Sequence, residues 1–480
     1  MDKEGAVCCA SFEVFNVSKN TELELLTVSR MNTSNDTEAQ TAFDQREAGI
    51  ANTALPKRIR RLSGLVADGK NRRRSSTTDK WVRTLVLRHI KKMRRGQLTI
   101  VDQDGTHLFG NAGDSAGSDI DATIIVHDYA TYKAIAVNGV VGAAEAFMDG
   151  HWTSPDLVSV IRFFVFNISQ LKEMDGERNL SNKIALSMLE RFTRNSLSRA
   201  RENISAHYDL GNEFFELFLD PTMMYSSAYY NGKDNLTLEQ ASVAKLDELC
   251  QMLELKPEDH LVEIGTGWGG MALHAVRNYG CRVTTTTLSK QQMEYTSEQV
   301  RKYGLEDKIT VLLKDYRELE GTYDKLVSIE MIEAVGHQYF STYFAKCSSL
   351  LKSDGLMALQ AITISDQRYE QARKSVDFIQ RYIFPGGCLP SLSVIANHTA
   401  NDTDMGVIGI KDLTRDYALT LKQWRESFTA NLENIRALGF DERFIRMWMY
   451  YFCYCEGGFR ERVIGVYHIL SAKPDYRVAY

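Results

Sequence analysis

The residues best placed to do chemistry lie between His260 and Gly270, where Glu263 stands two positions ahead of Gly265 and Gly267, Gly269 and Gly270 follow. A backbone that turns this tightly and approaches a ligand closely needs glycine. Residues 271–279 can form a helix whose N-terminus faces the turn, a favourable place for an anionic ligand group. As bare spacing, Gly265, Gly267 and Gly270 also fit the dinucleotide pattern G-x-G-x-x-G. Two details argue against a nicotinamide cofactor. The acid precedes the loop, and the next strand, 281–287, ends in four threonines with no carboxylate for a ribose. A merely structural strand-to-helix turn would not need so many glycines.

The surrounding elements must hold this loop. Strand candidates fall at 261–264, 282–287, 309–313, 325–329 and 355–364, with helical spacing at 291–303 and 338–351 between them. Such alternation predicts a parallel sheet covered on both faces. Its ligand would lie beyond the carboxyl ends of the strands, at the point where strand order reverses. The glycine loop, Ser289, Asp315, Glu333 and Gln360 all fall at that edge. The order acid-x-Gly-x-Gly is similar to that of Rossmann-type methyltransferases that bind S-adenosylmethionine. The expected fold is therefore α/β, a Rossmann-like class I methyltransferase domain at 204–480 preceded by a smaller α+β domain at 80–167. In the latter, 97–101 and 122–126 read as strands, turns fall at Asp104-Gly105 and Gly110-Asn-Ala-Gly113, and 157–166 reads as an apolar helix. Residues 168–203 read as a helical connector, and 1–79 as a disordered tail that turns basic towards its end.

Composition excludes several classes. The 480 residues are 44% hydrophobic and 25% charged, with net charge −5, an ordinary globular balance. No apolar run is long enough to span a bilayer, and the N-terminus lacks a secretory layout. The eight cysteines form no C-x-x-C pair, so no metal site is expected, and a reduced, cytoplasmic setting follows. Charge is uneven: Arg58, Arg60, Arg61, Lys70, Arg72, Arg73 and Arg74 precede a basic helical segment, 81–95, with Val82, Val86, Ile90 and Met93 on one stripe. Such a helix reads either as a peripheral membrane-surface element or as one packed on its own domain with a solvated basic face. Nucleic acid is not expected, since no nucleic-acid fold signature accompanies the charge.

Further segments appear in order: Ser205-Ala-His-Tyr-Asp-Leu-Gly-Asn212, Asp220-Pro-Thr-Met-Met-Tyr-Ser-Ser-Ala-Tyr-Tyr230, Thr287-Leu-Ser-Lys-Gln-Gln292, Lys314-Asp-Tyr-Arg-Glu-Leu319, Ser328-Ile-Glu-Met-Ile-Glu-Ala-Val-Gly336, Tyr382-Ile-Phe-Pro-Gly-Gly-Cys-Leu-Pro390, Asp416-Tyr417 and Cys455-Glu-Gly-Gly-Phe-Arg460. With the glycine loop, this series resembles the cyclopropane fatty-acyl-phospholipid synthases and mycolic-acid methyltransferases, over about Trp81 to Leu470. The resemblance implies that Tyr225, Ser226 and the 261–269 loop, with Glu263, Gly265, Gly267 and Gly269, hold S-adenosylmethionine. It places Leu288 and Gln292 at the adenosine sugar and Asp315, Tyr316 and Arg317 at the adenine, with Thr287 also in the cofactor site. By spacing alone, Leu288 would be core and Gln292 a polar residue at a helix start. The implied partners are a phospholipid bilayer surface and an unsaturated acyl chain, and the resemblance leaves room for a homodimer.

The implied reaction adds demands. An alkene is a weak nucleophile, and methyl transfer to it leaves a carbocation that water would quench, so the site must be dry. Aromatic faces stabilise a cation; Tyr229, Tyr230, Phe384, Tyr417, Trp424, Tyr450 and Tyr451 are candidates, Tyr417 and Tyr229 foremost. Ring closure then needs a base. The resemblance implies a bound bicarbonate held by Glu333, Tyr417 and the backbone near Ile362. Ser227 stands where the family often has Cys, and Gln360 where it often has His. A Gln amide donates to an anion but carries no charge. Glu330, three residues before Glu333, would share one helix face with it and would lower the need for bicarbonate; retained bicarbonate is the favoured expectation. Cys455 reads either as a catalytic thiol or as a buried structural one. The leading expectation is a cyclopropane-fatty-acyl-phospholipid synthase. A fatty-acyl C-methyltransferase giving a methyl-branched or methylenated lipid is the alternative, and a catalytically silent lipid-binding protein a second.

Overall fold

In a computed structural model, the chain is described over residues 76–111, 119–168 and 210–477. The basic run 57–74, the connector 168–203 (apart from Ile168) and the Ser205–Tyr208 motif lie outside the described residues.

Helix α1 (Thr77–Ile90) starts at a Ser76–Asp79 capping box and buries Val82, Val86 and Ile90. Met93, just past its end, is buried with them. The apolar stripe therefore faces the protein's own core; Lys80 and Arg88 are exposed on the other side, whereas Arg83 turns in to the buried Asp102 at 2.7 Å. Strands β1 (Gly96–Asp102), β2 (Gly105–Asn111), β3 (Asp121–Val126) and β4 (Trp152–Thr153) form a sheet in the order β2-β1-β3-β4. The Asp104-Gly105 turn closes the β1–β2 hairpin, whereas Gly110 lies within β2. Helices α2 (Ala130–Met148) and α3 (Leu157–Phe166) cover this sheet, α3 burying Leu157, Val158, Val160, Ile161 and Phe163.

The second sheet is built from β5 (His260–Ile264), β6 (Arg282–Thr287), β7 (Ile309–Leu313), β8 (Tyr323–Ile329), β9 (Leu351–Ile364), β10 (Gly406–Asp412) and β11 (Ile464–Ala472). Its order is β10-β11-β9-β8-β5-β6-β7. The five strands read from the sequence are parallel, as expected. The sheet as a whole is mixed, because β11 runs antiparallel to both β9 and β10. Helices α4 (Leu238–Met252), α5 (Gly270–Tyr279), α6 (Lys290–Lys302), α7 (Phe340–Ser349) and α8 (Leu392–Asp402) flank it.

Helices α9 (Thr414–Ala430) and α10 (Glu442–Arg460) join the two sheets. One buried cluster runs from Val82 and Leu98 through Phe163 to Trp424, Trp448 and Phe459. The Cys455–Arg460 motif is part of this seam. A Cβ on Gly457 would lie 2.7 Å from Ile161, so glycine lets α3 and α10 approach closely. Buried Glu456 is held by Arg425 at 2.9 Å and Arg460 at 2.7 Å. Among the described residues, no helix is long and apolar enough to cross a membrane.

Candidate active site

Strand order reverses between β5 and β8, and the loops leaving the carboxyl ends of β5, β6, β7 and β8 open on that crevice. After β5 the chain passes through Gly265 (φ +101°) and Gly269 (φ +85°), a backbone region that side chains rarely adopt. A Cβ on Gly269 would also meet Thr296 at 2.6 Å. The threonine run of β6 anchors this loop. The carbonyl of Thr286 accepts from the amides of Gly265 (3.1 Å) and Thr266 (3.0 Å), and Thr266 and Thr285 hydroxyls meet at 2.7 Å. Thr287 meets Gln292 at 2.8 Å and takes the Ser289 amide at 3.0 Å, fixing the next loop.

Glu263 is buried on β5 with one carboxylate oxygen unpartnered, and burial pushes its pKa up to about 8. An unmatched buried carboxylate beside a glycine cradle is the feature a ligand with N–H or O–H donors would satisfy, so these residues fit S-adenosylmethionine. Leu288 is exposed at this edge, not core. Asp315 accepts two guanidinium bonds, at 2.9 and 2.7 Å, and the backbone amide from Arg317 two residues on, which turns Arg317 back along its own loop. Tyr316 packs edge-on against Tyr343.

A second cluster lies on β8 and β9. Glu330 follows β8 with φ +48°, a left-handed backbone that costs a non-glycine residue roughly 1 kcal/mol or more. Glu330 and Glu333 therefore do not share a regular helix; a short 3-10 turn, Ile332–Ala334, carries only Glu333. Both carboxylates nevertheless meet the groups that the family resemblance assigns to an anion. One Glu330 oxygen accepts from the Ser227 amide (2.8 Å) and the Gln360 side-chain amide (2.7 Å), and the other from the Tyr417 hydroxyl (2.8 Å). Glu333 accepts from the Ile362 amide at 2.5 Å and leaves its second oxygen buried and unpartnered. Burial raises the pKa of both carboxyls; Glu333 goes to about 8, pushed further by the Glu330 charge.

Tyr417 belongs to an aromatic wall. It stacks on Phe459 at 4.5 Å and meets Trp424 edge-on at 5.9 Å. Tyr225 joins through Trp424 (5.3 Å), Phe384 (6.2 Å) and a hydroxyl contact to Tyr451 (3.0 Å). Three other aromatic candidates stand elsewhere. Tyr229 is capped by the Lys411 ammonium at 4.8 Å, Tyr230 has its amide held by Asp416, and Tyr450 packs against Phe147 and Phe378. Burial pushes the Cys455 thiol far up, which favours its protonated form.

Two site residues escaped the sequence reading. Lys245 is fully buried on α4, donates to Ser226 Oγ at 2.9 Å, and is pushed down to about 8 by burial. Its signal was present: it sits on the stripe of Leu238, Ala241, Ser242 and Leu249. His468 pairs across strands with Gln360 and meets its Oε1 at 2.8 Å. Burial pushes His468 down to about 3, so the ring is neutral and Nε2–H is the donor. That fixes the Gln360 amide with its NH₂ towards Glu330.

The profile of the family described as mycolic acid cyclopropane synthetase matches residues 195–469. The chain belongs to this family. It is 35% identical over 378 residues to the tuberculostearic acid methyltransferase UfaA1 of Mycobacterium tuberculosis, covering 77% of this chain and 86% of that protein. Identity to the cyclopropane-fatty-acyl-phospholipid synthase of Escherichia coli is 35% over 367 residues, 76% of this chain and 92% of the relative. The structure of mycolic acid cyclopropane synthase CmaA1 complexed with SAH and CTAB matches with a TM-score of 0.53 and 33% identity, over 57% of this chain and 98% of that one. This member of the family is a Rossmann-like, S-adenosylmethionine-dependent methyltransferase.

Proposed function

We propose that this family member transfers the methyl carbon of S-adenosylmethionine to a cis double bond of an unsaturated phospholipid acyl chain and closes a cyclopropane ring. The carrying observation is the cluster of Glu330, Glu333 and Tyr417 beneath an aromatic wall, beside the glycine loop, where Met331 lies 3.4 Å from a Cβ placed on Gly265. S-adenosylmethionine, when bound, supplies an electrophilic methyl group. Glu263 and the 265–269 loop would hold it, with Tyr225, Ser226, Thr287, Leu288, Gln292, Asp315, Tyr316 and Arg317 lining its site. The aromatic faces of Tyr417 and Trp424 exclude water and stabilise positive charge on the acyl chain.

A proton must then leave the transferred carbon. Bicarbonate is the acceptor implied by the family resemblance, but these residues do not fit it as they stand. The Ser227, Gln360 and Tyr417 donors are taken by Glu330, and the Ile362 amide by Glu333. Likeness to a tuberculostearic acid methyltransferase favours a second product, a methyl-branched or methylenated chain. The exposed Lys80 and Arg88 of α1, with Lys92 and Arg95 exposed just past its end, support peripheral attachment to an anionic bilayer.

Expression in a host making unsaturated phospholipids, followed by lipid mass spectrometry, tests the reading. A new cyclopropane acyl chain is expected. A methylenated chain, isomeric with the cyclopropane and told from it by its vinylidene NMR signal, would select the second reading. So would a saturated methyl-branched chain, heavier by two hydrogens, formed from it where the host supplies a hydride donor. Unchanged lipids with intact cofactor binding would sink both.

A further inference from the structure

We propose that Glu330 is the built-in proton acceptor of this enzyme, a side chain of the protein standing where a bound bicarbonate would otherwise serve. The inference rests on the methyl-transfer reading above. Its geometry is independent of that reading. Three donors from three separate segments converge on one carboxylate: the Ser227 amide at 2.8 Å, the Gln360 amide at 2.7 Å and the Tyr417 hydroxyl at 2.8 Å. An oxyanion that needed the same donors would have to displace Glu330.

The backbone supports the assignment. At φ +48° Glu330 occupies a conformation in which glycine is the comfortable residue. The protein holds a carboxylate there regardless, and the Glu330 amide donates to the Gln360 carbonyl at 2.8 Å, fixing that turn against β9. His468 orients the Gln360 amide, which also donates to the Ser227 carbonyl at 3.2 Å. Gln360, His468 and Ser227 are thus positioning residues. A neutral Gln suits this arrangement: it donates to the carboxylate without forming an ion pair that would lower its basicity. Glu333, beside it with an unpartnered buried oxygen, is the member of the pair better suited to keep a proton.

The step balances. The alkene π pair forms the bond to the methyl carbon as the carbon–sulfur bond breaks, its pair staying on sulfur. Glu330 then takes a proton from that carbon, and the released C–H pair closes the ring. In the methylenated outcome a hydride first shifts from the methylated carbon to its cationic neighbour, and the same C–H pair then forms a carbon–carbon double bond. The neutral Glu330 acid returns the proton to solvent when product leaves.

Two measurements decide it. Isotopically labelled bicarbonate titrated into the full-length protein and followed by NMR should show no bound signal with wild type. Glu330→Gly, which removes the carboxylate and relaxes the backbone, should bind the anion. On liposomes in carbonate-depleted buffer, wild type should keep its turnover. Glu330→Gln should lose roughly 100-fold or more, the range for loss of a general base, with S-adenosylmethionine affinity unchanged by calorimetry. Glu330→Gly should be restored by added bicarbonate or formate. Stoichiometric bicarbonate binding by wild type, or full turnover in Glu330→Gln, would overturn the assignment. The binding result stands whatever the lipid product, so it fails separately from the proposed function.

Discussion

At the residue scale, two carboxylates in one dry pocket have been given different surroundings. Glu330 accepts three hydrogen bonds, which favour its charged form, while Glu333 accepts one and faces the Glu330 charge. Tyr417→Phe removes one donor from Glu330 without touching the glycine loop. A lost hydrogen bond to a charged group is worth about 1.5–3 kcal/mol, so turnover should fall roughly 10- to 100-fold with cofactor affinity nearly kept. The same change raises the carboxyl pKa, because the charged form loses a donor, and so the acid limb of the pH–rate profile should move to higher pH. A profile that stays in place while turnover falls would mean that Tyr417 acts only through packing.

At the scale of elements, α1 settles between its two readings by what its apolar stripe touches. Val82, Val86 and Ile90 are spent on the core, so any bilayer contact belongs to the outer, basic face. Truncating Ile90 to Ala should cost about 2–4 kcal/mol of stability and leave liposome binding of the folded protein unchanged. Neutralising Lys92 and Arg95 should do the reverse. Each basic residue near an anionic surface contributes about 1 kcal/mol, screened by salt. Co-sedimentation with anionic liposomes should therefore weaken in that variant and as salt rises. Equal binding to neutral vesicles would remove the electrostatic role.

For the whole molecule, buried carboxyls couple stability to pH. Glu263 and Glu333, ordinarily near 4.5, are each pushed up to about 8 in the fold by burial. Above about pH 4.5 the folded protein keeps protons there that the unfolded chain has released. The stability this gives is complete below that pH and is lost as pH rises through about 8. His468, pushed from 6.5 down to about 3 by burial, opposes the trend only below about 6.5. Lys245, pushed from 10.5 down to about 8, acts only above that window. Between about pH 6.5 and 8 the melting temperature should fall, and Glu333→Gln, uncharged throughout, should flatten the fall. An unchanged slope in thermal melts of that variant would show that Glu333 is ionised in the folded protein.

The sequence by itself determined the five parallel strands, the glycine loop and the residues that meet in the Glu330–Glu333 cluster, since these depend on local periodicity, tight turns and short ordered motifs. Strand β6 and helix α3 begin and end where the periodicity places them. Strands β10 and β11 were not legible: β10 is a glycine-interrupted edge strand, and β11 is defined by antiparallel pairing with β9, at separations that start from Ile464 with Ile364 and widen to Ala472 with Leu356. His468 was hidden for the same reason, because its role exists only once it faces Gln360 across that pair. Sequence spacing put Glu330 and Glu333 on one helix face, whereas a left-handed backbone at Glu330 gives each carboxylate its own set of donors. Which carboxylate takes which donors is a matter of distances between β8, β9, α9 and the 225–230 segment, and only the tertiary structure sets those.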